Sequence, residues 1–194
     1  MMAVLRDDGV LTGWRNELYP VVDSFGSAPA FLVERAVAAR LGVRAFGVHV
    51  NGFVELPDGT KKLWVARRSK AKPTWPGMLD HIVAGGQPFG ISPTENVVKE
   101  CWEEASIPTE LARRAMPAGI VSYESLGDRG IGRDVLFVYD LPLPADFVPT
   151  PRDGEVEEFF LMDMDEVGVE PSRKSRRWET EQSAARARDG NRCR

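Results

Sequence analysis

The stretch that decides the reading of this chain is G-G-Q-P-F-G-I-S-P-T-E-N-V-V-K-E-C-W-E-E-A-S-I, Gly85 to Ile107. Its second half predicts a helix with a defined start. Ser92 is placed as N-cap, Pro93 suits the first helical position, and Glu95 follows three residues after the cap, which completes a capping box. Val97, Val98, Cys101, Trp102 and Ala105 recur at helical spacing and predict a core-facing stripe. Glu100, Glu103 and Glu104 then gather on the face opposite that stripe. Side chains three and four apart on a helix touch, so three carboxylates crowd one patch, and like charges so placed destabilise a helix unless something neutralises them. A hard divalent cation would do so: Mg²⁺ prefers a few carboxylates together with water and substrate phosphate. The plainer reading is a solvated acidic face. Gly85, Gly86 and Gly90 tilt the balance, since glycines before the helix predict a loop whose backbone can approach a ligand.

These residues resemble the Nudix box, the loop-helix signature G-x5-E-x7-R-E-U-x-E-E-x-G-U (U, bulky apolar) of Mg²⁺-dependent hydrolases that cleave a diphosphate linked to another moiety. On this chain Gly85 opens the pattern, Lys99-Glu100 takes the Arg-Glu place, Cys101 is the apolar residue, Glu103-Glu104 is the acidic pair and Ile107 closes it. Three positions depart: Ile91 replaces the early Glu, Lys99 the Arg and Ser106 the last Gly. Lys cannot hold a carboxylate bidentately as Arg does. The flanks Trp75 to Gly86 and Gly90 to Pro108 are similar to Nudix hydrolases related to, or fused with, thiamine pyrophosphokinase. So are Gly47 to Gly52, Leu63 to Ser69, Val138 to Pro144 and Asp153 to Phe159, a resemblance that spans roughly residues 12 to 167.

The resemblance implies an α/β fold, the Nudix α/β/α sandwich with a mixed sheet, preceded by a small N-terminal module. It also implies Mg²⁺, with Mn²⁺ able to substitute, held by Glu100, Glu103, Glu104 and the carbonyl of Gly85, the same three glutamates being the catalytic set. The implied reaction is hydrolysis of thiamine diphosphate, or of its oxidised forms, to the monophosphate and phosphate. The alternatives are a nucleoside diphosphate derivative as substrate, or a binding module that kept the fold without the activity.

Outside the box, Arg67, Arg68, Lys70 and Lys72 form a basic run that either is solvated or binds phosphate oxygens, with Arg67, Arg68, Lys72 and Lys99 the candidates for substrate binding. Trp75 sits in a loop rich in breakers, read as a buried anchor or as a platform for a heteroaromatic ring. Asp153 and Glu155 are candidates for an additional carboxylate, against a reading as surface charge. His49 falls in a strand, either as a packed histidine or as a catalytic group.

Composition bounds the rest. The chain has 194 residues, 43% of them hydrophobic, and a formal net charge of −4. That fits one domain with a small addition and gives no basic footprint for nucleic acid. The partner that the resemblance implies is a small-molecule diphosphate, while oligomeric state stays open. No apolar run is long enough for a membrane span, and the start lacks the pattern of a secretory signal. Cys101 and Cys193 make neither a disulfide framework nor a metal-ligand spacing, so a reducing, cytoplasmic setting is expected.

The expected organisation is a module over residues 1–42, a Nudix domain over 43–170 and a basic, disordered tail over 171–194. The tail carries eight Arg or Lys against three Asp or Glu, and its character departs from the resembling subfamily, as if truncated or altered. Within the domain, 29–41 predicts a helix. A hairpin is predicted over 43–55 and 61–68, turning at Pro57 to Thr60. Further expected elements are a short strand at 82–84, a helix over 109–116 capped by Thr109, strands at 118–124, 134–140 and 155–162, and a helical turn opening near Asp163.

Overall fold

The computed structural model describes residues 2–72, 74–127 and 130–167. The expected tail lies outside the described residues. The architecture is mixed α/β, a seven-stranded sheet with the signature helix packed on it.

The sheet is organised by a fork. Strands β3 (Arg44–Glu55) and β4 (Lys61–Arg68) pair antiparallel only beside their turn, over Phe53–Glu55 and Lys61–Leu63. The two strands then part. Beyond the fork, β3 pairs antiparallel with β6 (Val83–Gly86) and β4 with β5 (Leu79–His81), while β9 (Val156–Asp163) pairs antiparallel with β4 from Lys62 to Arg68. On its other edge β3 runs parallel to β8 (Gly130–Pro142), which forms a long antiparallel ladder with β7 (Met116–Gly127). The β3–β8 pair is the parallel step that makes the sheet mixed.

Alternation along β3 buries Val48, Val50 and Val54, the side-chain period of a strand with one face in a core. They meet Val97, Cys101 and Ala105 of α3 (Pro93–Ala105), with Ile82, Val83 and Leu141 closing the cluster. Burial pushes the Cys101 thiol up to about 12, as suits a core residue rather than a nucleophile.

Ahead of the sheet, β1 (Leu18–Val21) and β2 (Phe31–Glu34) form a separate two-stranded ribbon, following α1 (Met2–Asp7). Tyr19, Val33 and Ala38 make a small core there, continued by Val43 and Ala45 at the entry to β3. The helix expected over 29–41 is corrected here: Phe31–Glu34 is strand, followed by only a short α2 (Arg35–Ala38) and a 3-10 turn, Ala39–Leu41. A run of Phe, Leu and Val is ambiguous between helix and strand. Pairing with β1, whose own sequence shows no clear period, decides it.

The second predicted helix is also shorter than read. α4 is Thr109–Ala112 with Pro108, not Thr109, as its cap, and Met116 already belongs to β7. Among the described residues no helix is long and apolar enough to cross a membrane.

Candidate active site

The start of α3 is built as its sequence predicts. The Ser92 side chain accepts from the Glu95 N–H, and the Glu95 carboxylate accepts from the Ser92 N–H at 2.9 Å. The helix ends at Ser106 with φ +55, the place where a glycine would be favoured.

The orientation of α3 differs from the expectation. Glu100 and Glu104 do not face solvent opposite the apolar stripe. They lie on the buried side, 8% and 5% exposed, while Trp102 of the predicted stripe is exposed and its ring carries the Arg152 guanidinium at 4.1 Å. The wheel is rotated because Asn96, Glu100 and Glu104, at i, i+4 and i+8, form a polar stripe that turns toward β6. Asn96 is fully buried and donates from Nδ2 to the Gly86 carbonyl at 2.8 Å, pinning helix to strand. That i+4 stripe was the signal in the sequence that could have found Asn96.

Gly85 and Gly86 lie in β6, not in a loop. Their lack of a Cβ serves close approach rather than bending. A Cβ on Gly85 would stand 2.3 Å from Cδ of Glu100, and one on Gly86 would stand 2.2 Å from the Tyr19 hydroxyl. The positive φ falls instead at Gly90, φ +98, in the segment between β6 and α3. That segment is held by Gln87, buried, whose Nε2 donates to the Ile91 carbonyl at 2.7 Å.

The carboxylates gathered beside β6 are under electrostatic pressure. Burial raises Glu104 to about 8, against the Ala84 N–H that donates to it at 2.9 Å, and Glu100, Glu155 and Asp153 add to the rise. Burial likewise raises Glu100 above the usual carboxylate range, against Lys99. Lys99 Nζ donates to Glu100 at 2.8 Å and to Glu103 at 2.9 Å. Glu103 is exposed, so the structure separates it from the buried pair and links it to Glu100 through Lys99.

The other candidates divide. Glu155 enters the cleft from the loop before β9, where Lys72 is its ion partner and Arg15 lies 3.7 Å away. Its N–H donates to Asp153 at 2.8 Å. Arg68 and Lys72 also line this cleft, together with Asp80, His81 and Glu104. Arg67, next along β4, takes the opposite face, where it pairs with Glu158 at 2.9 Å and lies over Phe160. Trp75 is not a buried anchor: it is 56% exposed in the turn between β4 and β5, with φ +52, and its carbonyl accepts from Arg68 at 3.2 Å. The turn that exposes it ends sooner than read, because Leu79 and Asp80 belong to β5.

Asp80, His81, Tyr19 and Arg35 are not singled out by the sequence, while His49 is weighed there as a packed or a catalytic histidine. Asp80 and His81 of β5 meet His49 of β3, with the two imidazole centroids 4.4 Å apart. Burial, with His81 beside it, lowers His49 to about 4. The N-terminal segment also reaches the signature: the Tyr19 hydroxyl and the Arg35 guanidinium abut Gly86, and Arg35 Nη1 is held by Glu17 at 2.9 Å. Burial raises the Tyr19 phenol to about 12, so it stays neutral against the carboxylates.

Gly85 leaves room for the buried Glu100 side chain, and the further carboxylates Glu104, Glu155 and Asp153 converge beside it, an arrangement that agrees with the helix signature. Comparison with known proteins gives the family. The NUDIX domain model matches residues 46–183, and a domain of unknown function (DUF4743) matches residues 1–45. The chain belongs to the Nudix family.

Among similar proteins, Nudix hydrolase 24, chloroplastic, of Arabidopsis thaliana is 52% identical over 167 residues, covering 86% of this chain and 46% of that one. Nudix hydrolase 20, chloroplastic, of the same plant is also 52% identical over 167 residues, covering 86% of this chain and 44% of that one. The chain thus spans somewhat under half the length of these curated relatives. The solved structure of DR0079 from Deinococcus radiodurans aligns with a TM-score of 0.55 at 19% identity, covering 80% of this chain and 87% of that chain, a likeness of fold.

Proposed function

We propose that this chain hydrolyses a phosphoanhydride bond in a small-molecule diphosphate, with a divalent cation, Mg²⁺ or Mn²⁺, at the Glu100–Glu104 cluster. The observation that carries this reading is the burial of Glu100 and Glu104 together against β6, where Gly85 makes room for a carboxylate that no protein cation fully offsets. Two buried carboxylates with raised proton affinity are costly unless paired, and an oxygen-only donor set suits a hard cation. Glu100 and Glu104, with Glu155 and the Gly85 carbonyl, would hold it. When bound, such an ion neutralises diphosphate charge and lowers the pKa of water.

The residues of the chain do the positioning. Lys99 fixes the Glu100 carboxylate, and the Ala84 N–H fixes that of Glu104. Lys72 and Arg68 line the cleft beside Glu104 and would meet phosphate oxygens there. Water adds at phosphorus, the P–O bond of the anhydride breaks, and a carboxylate of the cluster takes the proton of the attacking water, giving a monophosphate and phosphate. Phosphoryl transfer needs chiefly positioning and electrostatics, which this cluster supplies.

The substrate favoured is thiamine diphosphate or its oxidised forms. The support is the ordered resemblance of the flanks, Trp75 to Gly86 and Gly90 to Pro108 above all, to thiamine pyrophosphokinase-related Nudix hydrolases. Exposed Trp75, beside Arg68 at the cleft edge, offers a ring for stacking on a heteroaromatic group. Phosphate release from thiamine diphosphate, its oxo and oxy analogues, ADP-ribose and nucleoside diphosphates, with EDTA and Glu104→Gln as controls, is the test. Turnover confined to the thiamine series is expected. Turnover on nucleotides alone keeps the hydrolase and discards that substrate, and silence from a folded chain discards both.

A further inference from the structure

We propose that His49, Asp80 and His81 form a second cation site, which takes a borderline d-block divalent ion such as Zn²⁺ or Co²⁺ in preference to Mg²⁺. One ligand atom from each of the three lies within 4.8 Å of the others, close enough to share one ion. The donors are two imidazole nitrogens and a carboxylate oxygen. Imidazole suits Zn²⁺ and its neighbours in the d-block, whereas Mg²⁺ takes oxygen.

The frame holding these groups is stiff. His49 sits mid-strand in β3 opposite Ala84 of β6, and His81 ends β5 opposite Val65 of β4. The cluster therefore spans the fork where β3 and β4 part, and an ion there would tie the two arms of the sheet together. The Asp80 carboxylate is oriented by its surroundings. Its Oδ2 accepts from Arg68 Nη1 at 2.8 Å, and its Oδ1 accepts from the His81 N–H at 2.9 Å, within 3.5 Å of His81 Nδ1. Partners that aim a ligating carboxylate in this way are a regular part of metal centres. The Arg68 charge is spread by the Thr74 and Trp75 carbonyls, to which its Nε and Nη2 also donate.

Three protein ligands leave coordination positions open, the pattern of ions that meet a substrate rather than ions that only staple a fold. Asp80 and His81 line the same cleft as Glu104 and Glu155, so the cluster borders the proposed diphosphate site.

The test reads metal binding and not turnover, so it fails or succeeds independently of the hydrolase reading. The full chain carrying Glu100→Gln and Glu104→Gln, stripped with chelator, is titrated with Co²⁺ and followed by calorimetry and ligand-field absorption. Uptake of about one equivalent, undisturbed by excess Mg²⁺, is expected. Adding His81→Asn, at a partly exposed position that tolerates change, should weaken uptake on the order of 10²-fold with the circular dichroism spectrum unchanged. His49→Gln supplies a second variant from the other strand. Absence of Co²⁺ uptake in the double Gln chain, or uptake indifferent to both His substitutions, overturns the proposal and leaves the cluster as an Arg68–Asp80 ion pair with packed imidazoles.

Discussion

Glu104 of the signature helix and His81 of β5 line one cleft, yet the clusters to which they belong were assembled by opposite means. Glu100, Glu103 and Glu104 are close in sequence, and a helical turn alone brings them together. His49 and His81 come from strands that diverge at the fork, and they meet only because β5 and β6 fill the gap between β3 and β4. The first cluster is hard, anionic and crowded. The second pairs a single carboxylate, already engaged by Arg68, with two imidazoles. What the contrast teaches is that charge crowding calls for a cation whatever the fold, while an imidazole cluster acquires chemistry only through its geometry.

The sharpest way to break this comparison is Glu104→Gln. The side chain keeps its shape and loses its charge, so turnover of the diphosphate substrate should fall on the order of 10³-fold with the fold intact. Loss of folding instead would make Glu104 structural and the two clusters alike. Gly85→Ala comes next. The new Cβ would collide with the Glu100 carboxylate, itself fixed by Lys99, and overpacking of this kind costs about 1–3 kcal/mol. Chemical denaturation should show that loss, along with weakened Mg²⁺ binding.

Proton linkage separates the clusters more finely. In the metal-free chain Glu104 titrates near 8 rather than 4.5, so the folded state holds a proton that the unfolded state has released, and stability declines as pH rises through that window. Raised Glu100 acts in the same direction. His49 works oppositely: with its folded value near 4 against 6.5, its contribution is complete above 6.5 and is lost as pH falls toward 4. The two slopes oppose each other below 6.5, and above it the glutamates act alone. Urea denaturation of the metal-free chain between pH 6.5 and 8 should show a decline of at most about 1.4 kcal/mol per pH unit per group. Glu104→Gln should flatten the slope, and a slope unchanged by that substitution would sink the assignment. The smallest effect belongs to Arg15→Ala. Its partner Glu155 lies 3.7 Å away, both side chains are about a third exposed, and under about 1 kcal/mol of stability is at stake. A larger change in KM than in stability would mean that the N-terminal segment shapes the cleft.

Much of the fold could be read ahead of the structure where local signals agreed. The capping box with Pro93 fixed the start of α3, the Pro57 to Thr60 turn predicted the β3–β4 hairpin, and the strands expected at 118–124, 134–140 and 155–162 correspond to β7, β8 and β9. Reading failed where a partner distant in sequence decided the outcome. Phe31–Glu34 became strand because β1 lay beside it. Leu79–His81 became strand because β4 did.

By itself, the sequence determined that three glutamates share one short helix behind a pair of glycines, because helix geometry is local and like charges cannot be ignored. It determined the family for the same reason, since the signature is a contiguous run. Tertiary structure alone decided which two of those glutamates are buried, because that depends on how α3 rolls against β6, and rolling is set by Asn96 and by the missing Cβ of Gly85. It also decided that Arg68 faces the cleft while Arg67 faces away, that Trp75 is exposed, and that His49 meets Asp80 and His81. Packing between segments far apart in the chain obeys volume and hydrogen bonding at the contact, and neither is written in the spacing of residues.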